Sequence, residues 1–373
     1  MIVIAGIIIL VFFSIQVFSL VSILLLGPAK STDIKTFPKV SLLLAARNEE
    51  KLIIRSLEAI DQLDYPKKQL EILIGDDSST DKTAAIVRYF IKGKPQYKLY
   101  SIDKTLGKGR GKANVLAQLA LKADGDFYFI TDVDVKLPKL WIKSMLQEFG
   151  EKVGIVSGTT MCDDGPRFAK LQSIDWLHFM GYIKAFARIG VGCTSVGNNM
   201  AVRAQAYWET GGYEKIDFSI TEDYKLFEAV TKNGWQWRNV LSPDTLGKAW
   251  YIPDVGEMLH QRKRWLIGAQ DLPLNWKAML IIYGLFYVVL IYLGINYSDI
   301  AMSIWFMKYL IQTVFILVLC YQVDMRPFGY LELFLYEIYL VVNTIVAGIF
   351  YFLPIKSVWK GRRYSGAEVQ DLN

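Results

Sequence analysis

From Met1 to Leu26 the chain carries no charged side chain. A run of this length covers the ~20 helical residues needed to cross a bilayer. It exceeds the ~7–15-residue apolar core of a signal peptide, and no basic residue precedes it. We read residues 1–27 as a retained membrane anchor. Three more apolar stretches gather near the other end: Ala278 to Ile295, Ala301 to Val323 with Lys308 inside it, and Leu331 to Leu353 with Glu332, Glu337 and Asn343. They define a C-terminal membrane region at 276–355, followed by a basic tail at 356–373. Between the two ends, residues 37–275 have ordinary charge density and turn residues. The 53% hydrophobic content therefore belongs to the ends of the chain, and the middle is a folded domain beside a membrane.

Lys30, Lys35 and Lys39 follow the anchor while nothing positive precedes it, so the positive-inside rule places the central domain in the cytoplasm, at a cell membrane of bacterial type. The tail carries Lys356, Lys360, Arg362 and Arg363, and three full C-terminal crossings would put those charges outside, against the same rule. The short stretch Ala278 to Ile295 is the one expected to lie in the interface or re-enter, with four full crossings as the alternative. Lys and Arg total 42 against 36 Asp and Glu, a mild excess spread along the chain. That distribution suits anionic lipid headgroups or phosphates and argues against a nucleic-acid binder, whose basic residues form a patch. Cys162, Cys193 and Cys320 are odd in number and far apart, which excludes a disulfide framework and a Cys-x-x-Cys zinc site. With only His178 and His260, histidine-rich metal chemistry is excluded as well.

Within the central domain, Val40 to Ala46 is a short apolar strand ended by Arg47-Asn48-Glu49-Glu50, and Leu52, Ile53, Leu57 and Ile60 then carry helical spacing. The alternation continues through strands at Leu70 to Gly75, Lys98 to Ile102, Phe127 to Thr131 and Val153 to Ser157, with helices after Asp81, from Lys112 and after Pro138. Such alternation predicts an α/β fold with a mostly parallel sheet covered on both faces. Ligands of such sheets bind at the carboxyl ends of the strands.

Those ends are rich in carboxylates. Asp76-Asp77-Ser78-Ser79-Thr80-Asp81 contains ordinary helix caps, but two adjacent carboxylates exceed what capping requires and can accept from a base N–H or a ribose hydroxyl. Asp132-Val133-Asp134 leaves an apolar strand; residues two apart share a face, so both carboxylates can converge on Mg2+ or Mn2+ with a diphosphate. Gly107-Lys-Gly-Arg-Gly-Lys112 opens a helix and suits phosphate, or is a solvated loop; it lacks Walker spacing. Ser219 with Glu222 fits a capping box, whereas the carboxylates of Glu222 and Asp223 also suit a general base. Gln261-Arg262-Lys263-Arg264-Trp265 precedes the apolar region. It reads either as a basic, Trp-anchored interfacial segment or as a stacking surface at Trp265 with Arg264 against a diphosphate.

Taken in order and spacing, these segments resemble a membrane-bound family 2 glycosyltransferase with the Rossmann-like GT-A fold, of the subgroup with cellulose, hyaluronan and poly-N-acetylglucosamine synthases and ceramide glucosyltransferases. The resemblance implies that Arg47, Glu49, Asp76 and Asp77 line the site of a UDP-sugar, the last two at its uridine. It places Lys112 near the nucleotide, although Val115-Leu116-Ala117 replaces the family's Ala-Leu-Asn. Asp134 with Asp132 would bind the metal, and Asp223, with Glu222 beside it, is similar to the catalytic base. Asn198, Gln261, Arg264 and Trp265 resemble residues lining donor, acceptor and diphosphate, and Trp359-Lys-Gly-Arg-Arg-Tyr364 resembles tails of relatives.

The resulting expectation is an inverting hexosyl transfer from a UDP-sugar to a membrane-associated acceptor, preferably a lipid. A processive β-glycan synthase is the alternative, and the small number of apolar helices disfavours a wide channel. A nucleotidyltransferase would not need Thr221-Glu222-Asp223 with Gln261-x-x-Arg264-Trp265, and an inactive scaffold would be expected to have lost its carboxylates.

Overall fold

In the computed structural model of the chain, residues 2–27, 36–365 and 368–371 are described. Lys30 and Lys35, which carried part of the orientation argument, lie outside the described residues, as do Met1 and four residues of the tail. The core is a seven-stranded sheet in the order β3-β2-β1-β4-β8-β6-β9. Its strands are β1 (Val40–Ala46), β2 (Leu70–Asp76), β3 (Tyr97–Ser101), β4 (Phe127–Asp132), β6 (Val153–Ser157), β8 (Asn199–Arg203) and β9 (Gln236–Asn239). Three short strands, β5 (Val135–Lys136), β7 (Thr160–Cys162) and β10 (Gly247–Ala249), form a second sheet beneath its carboxyl edge.

The expected strands are present and parallel, because their apolar residues face two cores at once. Leu42, Leu44, Ile72, Ile74 and Phe129 pack with helices α2 (Ile53–Asp61) and α3 (Thr83–Phe90), and Leu43, Leu73 and Ile130 pack with α4 (Lys112–Ala120). Register places the chemistry level: Ala46 lies opposite Asp76, and Ala45 opposite Asp132. One strand departs from the parallel pattern. β8 runs antiparallel to both β4 and β6, and it is not among the strands expected from the sequence.

Helix α5 (Trp141–Leu146) closes one face. Trp141 is fully buried, donates its indole N–H to Asn199 Oδ1 at 2.8 Å and meets Phe129 edge-on at 5.0 Å. Trp141→Ala is expected to cost about 3–5 kcal/mol, read as a fall of several degrees in the unfolding midpoint of the detergent-purified protein. Helices α6 (Arg167–Ala187), α7 (Ala204–Glu209), α8 (Gly212–Lys215), α9 (Glu222–Lys232) and α10 (Val255–Gly268) complete the domain.

Among the described residues, four helices are long and apolar enough to cross a membrane: α1 (Ile2–Leu24), α11 (Leu274–Asn296), α12 (Ser298–Gln322) and α13 (Tyr330–Phe352). α11 has 23 residues, longer than the apolar stretch suggested, because its first turn borrows Leu274 to Lys277. It runs against α1, with Phe12 stacked on Phe286 at 3.8 Å. α6 bridges bundle and domain: Ser22 Oγ donates to Ala185 O, and Tyr182 Oη to Gln16 Oε1 at 2.6 Å. The tail forms a third sheet of β11 (Ser357–Trp359), β12 (Arg362–Ser365) and β13 (Glu368–Asp371).

Candidate active site

The carboxyl ends of β1, β2 and β4 meet the first turns of α4 and α9 in one cleft. Gly111, with φ 53°, turns the chain into α4 in a conformation that disfavours side chains. Lys112 therefore begins the helix pointing inward. Its Nζ lies 2.6 Å from Asp132 Oδ1 and 3.0 Å from Glu222 Oε1, and donates to Gly197 O at 3.0 Å. Burial disfavours its charge, but Asp132 and Glu222 more than offset this and hold it well above the ordinary lysine range. The rest of the glycine-rich loop turns away: Arg110 donates to Gly109 O at 2.7 Å, and Lys108 pairs with Asp217.

Asp134 is anchored through its carbonyl, which accepts from Arg55 Nη1 at 2.9 Å and from the Trp250 N–H at 2.8 Å. Its carboxyl Oδ1 is buried with no hydrogen-bond partner. Burial, reinforced by Asp132, pushes Asp134 up to about 7. Asp132 is raised as well, by burial against the pull of Lys112. Two oxygen-donor carboxylates on one strand end, one with an unpartnered buried oxygen, fit a hard divalent cation that shares its shell with phosphates.

Asp223 stands across Lys112 from this pair. Its Oδ2 accepts from the Gly197 N–H at 2.8 Å and its Oδ1 from the Tyr224 N–H at 2.9 Å. Gly197 permits this approach, since a Cβ there would stand 2.9 Å from the Asp223 Cβ. Burial, with Glu222 adding to it, raises Asp223 to about 6. The capping box is absent: α9 begins at Glu222, its N-cap Thr221 makes no side-chain capping bond, and Glu222 is drawn to Lys112 instead. At the β2 end the capping work falls to Asp81, which accepts from the Thr83 N–H. Asp76 is left buried with Oδ1 unpartnered, and Asp77 faces the cleft.

The basic tail forms the remaining wall. Arg362 grips Asp77, with Nη2 3.0 Å from Oδ1, Lys360 pairs with Glu49, and Arg47 donates to Asp77 O at 2.7 Å and to Lys360 O at 3.3 Å. Arg264 lies over Trp359 at 5.1 Å, and burial lowers it to about 10, so it stays cationic at neutral pH. With Trp359, Lys360, Arg362 and Tyr364 in place the cleft retains about 60 Å3, whereas ligand pockets measure ~300–1,000 Å3.

Arg47, Glu49, Asp77, Lys112, Asp132 and Asp134 thus line one cavity. Four of the expected residues stand apart, the buried Asp76 among them. Asn198 spends its Oδ1 on Thr160 at 2.9 Å. Gln261 sits one turn before Arg264 on α10, half-buried. Trp265 is held between Arg262, at 4.4 Å, and Trp176, at 5.2 Å. Arg55 and Trp250, which fix Asp134, carry no sequence signal that marks them.

The doubly covered sheet, its Asp-x-Asp strand end and the buried lysine facing Asp223 place a carboxylate-lined cleft at the carboxyl edge of a GT-A-type fold. The profile of glycosyl transferase family 21 matches residues 2–368, and the chain belongs to that family. It is 24% identical over 296 residues to a beta-monoglucosyldiacylglycerol synthase of Synechocystis, covering 76% of this chain and 60% of that protein. It is 26% identical over 254 residues to a poly-beta-1,6-N-acetyl-D-glucosamine synthase of Staphylococcus epidermidis, covering 64% and 57%. The chain thus spans little more than half the length of these curated relatives. Among solved structures, a mannosyltransferase from Pyrobaculum calidifontis, in complex with GDP-Man and Mn2+, shares the fold with a TM-score of 0.56 at 17% identity, covering 86% of this chain and 98% of that one.

Proposed function

We propose that this chain transfers one sugar from a UDP-sugar to a hydroxyl of a membrane lipid, with inversion at the anomeric carbon. The observation that carries the lipid acceptor is the placement of α10. Arg264 on this helix packs against the cleft wall at Trp359, and the next residue back, Lys263, donates to the carbonyls of Phe350 and Leu353 at the end of α13. The reaction centre and an apolar helix are therefore joined through two consecutive side chains. A relative named as a glucosyldiacylglycerol synthase matches over most of this chain, which supports the same reading.

Asp134, with Asp132, would hold Mg2+ or Mn2+, which neutralises charge on the departing diphosphate. Asp223 removes the proton of the acceptor hydroxyl. The oxygen attacks the anomeric carbon as the bond from that carbon to the phosphate oxygen breaks, and the electron pair leaves with UDP. Lys112 and Arg264 are the cations placed to meet that charge. Lys112 passes from its carboxylate partners to phosphate without changing its buried position, which limits reorganisation.

Membranes containing the protein, incubated with a panel of labelled nucleotide-sugars, are expected to move label from a UDP-sugar into the lipid extract as a single-sugar product. A ladder of longer products would establish the polymerising alternative, and no transfer from any donor would end the reading. Because Asp223 must be ionised to act and its carboxyl titrates near 6, the transfer rate should rise through that pH and level above it. Below it, the rate should fall about tenfold per pH unit. A profile flat from pH 5 to pH 8 would remove Asp223 from the role of base.

A further inference from the structure

Helix α13 has the length and composition of a membrane span, yet both its ends are fastened to the catalytic domain. At its start, Glu332 lies 3.5 Å from Lys170 and 3.9 Å from Arg167, in the first turn of α6. That turn leaves the domain directly after Asp163, which pairs with Arg55 of α2. At its end, the carbonyls of Phe350 and Leu353 accept from Lys263 of α10 at 3.1 and 2.7 Å. Ser357 then donates to His260 O at 3.1 Å, and the tail enters the cleft. A 23-residue helix is about 34 Å long, so a crossing would carry one of these ends to the far face of the bilayer.

The other three apolar helices behave as crossings should. Ala5 near the start of α1 clusters with Val289 and Leu293 late in α11 and with Ala301 early in α12. At the opposite end, Gln322 of α12 donates to Ile23 O of α1 at 3.5 Å, and Trp276 of α11 donates to Gly192 O of the domain at 2.8 Å. Direction alternates through α1, α11 and α12. α13 instead packs its Leu333, Tyr336 and Leu340 into the core shared with α6 and α12. It also pairs its buried Glu337 with Lys308 of α12. Its other face is a continuous exposed stripe of Phe334, Ile338, Val342, Ile345, Ile349 and Phe352, at the spacing of one helical face.

We infer that α13 lies within the leaflet on the domain side with this stripe among the lipid acyl chains, and that only α1, α11 and α12 cross. The arrangement keeps Lys356, Lys360, Arg362 and Arg363 on the same side as the domain, as the charge rule requires. It assigns the non-crossing role to α13, where the sequence had pointed to the stretch that forms α11. It does not depend on the identity of donor or acceptor.

Single cysteines at exposed positions test it in the full-length protein, with native Cys162, Cys193 and Cys320 buried. In sealed vesicles of one orientation, a membrane-impermeant maleimide should label Lys92→Cys, Arg326→Cys and Lys356→Cys from one face and Asn296→Cys only from the other. Asp324→Cys stands in for Arg326→Cys should that variant express poorly. Labelling of the positions before and after α13 from opposite faces would overturn the inference. In phosphatidylcholine vesicles, fluorophores on Ile338→Cys and Ile345→Cys should lose at least half their emission to spin-labelled phospholipid. Escape from quenching, together with cross-linking of these cysteines between two copies of the chain, would overturn the lipid as the occupant of the stripe.

Discussion

Asp223→Asn is expected to lower sugar transfer by about 10²- to 10⁴-fold, the usual span for loss of a general base, while UDP still binds in the presence of Mn2+. The side chains have nearly the same shape, but an amide has one oxygen where the carboxylate uses two. One oxygen can go on accepting from Gly197 or Tyr224; the amide NH2 must then face the other N–H. We therefore expect a second, smaller effect, a stability loss of about 1–3 kcal/mol for the unpaired group. Labelled transfer, calorimetric titration with UDP and an unfolding midpoint separate the two effects. Turnover within tenfold of the parent enzyme would show that another group takes the proton.

Asp134→Asn should give the opposite division. Its backbone anchors, Arg55 and the Trp250 N–H, do not involve the carboxylate, so the strand end should keep its shape. Loss of a metal-ligand charge should weaken Mn2+-dependent UDP binding by about two orders of magnitude and abolish transfer with it. The metal-free protein should respond differently. The folded-state value of Asp134 is raised to about 7, so ionisation opposes folding: stability is lost as pH climbs from the unfolded carboxylate range, near 4, through 7. Asn removes that penalty. In EDTA at pH 8 the variant should melt higher than the parent, and at pH 4 the difference should vanish. A variant that binds UDP and Mn2+ as the parent does would remove Asp134 from the metal site.

The two predictions rest on residues that a reader of the sequence can find, and the reason is local. Asp76 and Asp132 each end a mostly apolar strand, so the sheet's register brings them within one residue of level, and Asp77 and Asp134 follow them closely in sequence. Lys112 opens a helix after three glycines, and Asp223 begins another. The antiparallel β8 was hidden because Gly197-Asn198 before it and the polar Asn199 and Arg203 at its own ends resemble a loop. The second sheet was hidden because two- and three-residue strands have no period to detect. Arg55, Trp250 and the contact of Arg362 with Asp77 depend on pairings across 79 to 285 positions of sequence, and spacing does not encode contacts of that kind. The four apolar stretches were equally legible. Which of them cross is decided by what holds their ends, a tertiary property.

The tail strands that bear Trp359 and Arg362 also bear on how the protein is handled. A purification tag or fluorescent partner fused after residue 373 would be tethered to a segment that lines the cleft of Asp77, Lys112 and Asp132, and its bulk would disturb any binding measured there. Handles placed within exposed positions of the domain, such as the turn at Lys92-Gly93, avoid that error. Conversely, a small environment-sensitive dye beside Trp359 would report optically on whatever enters that cleft.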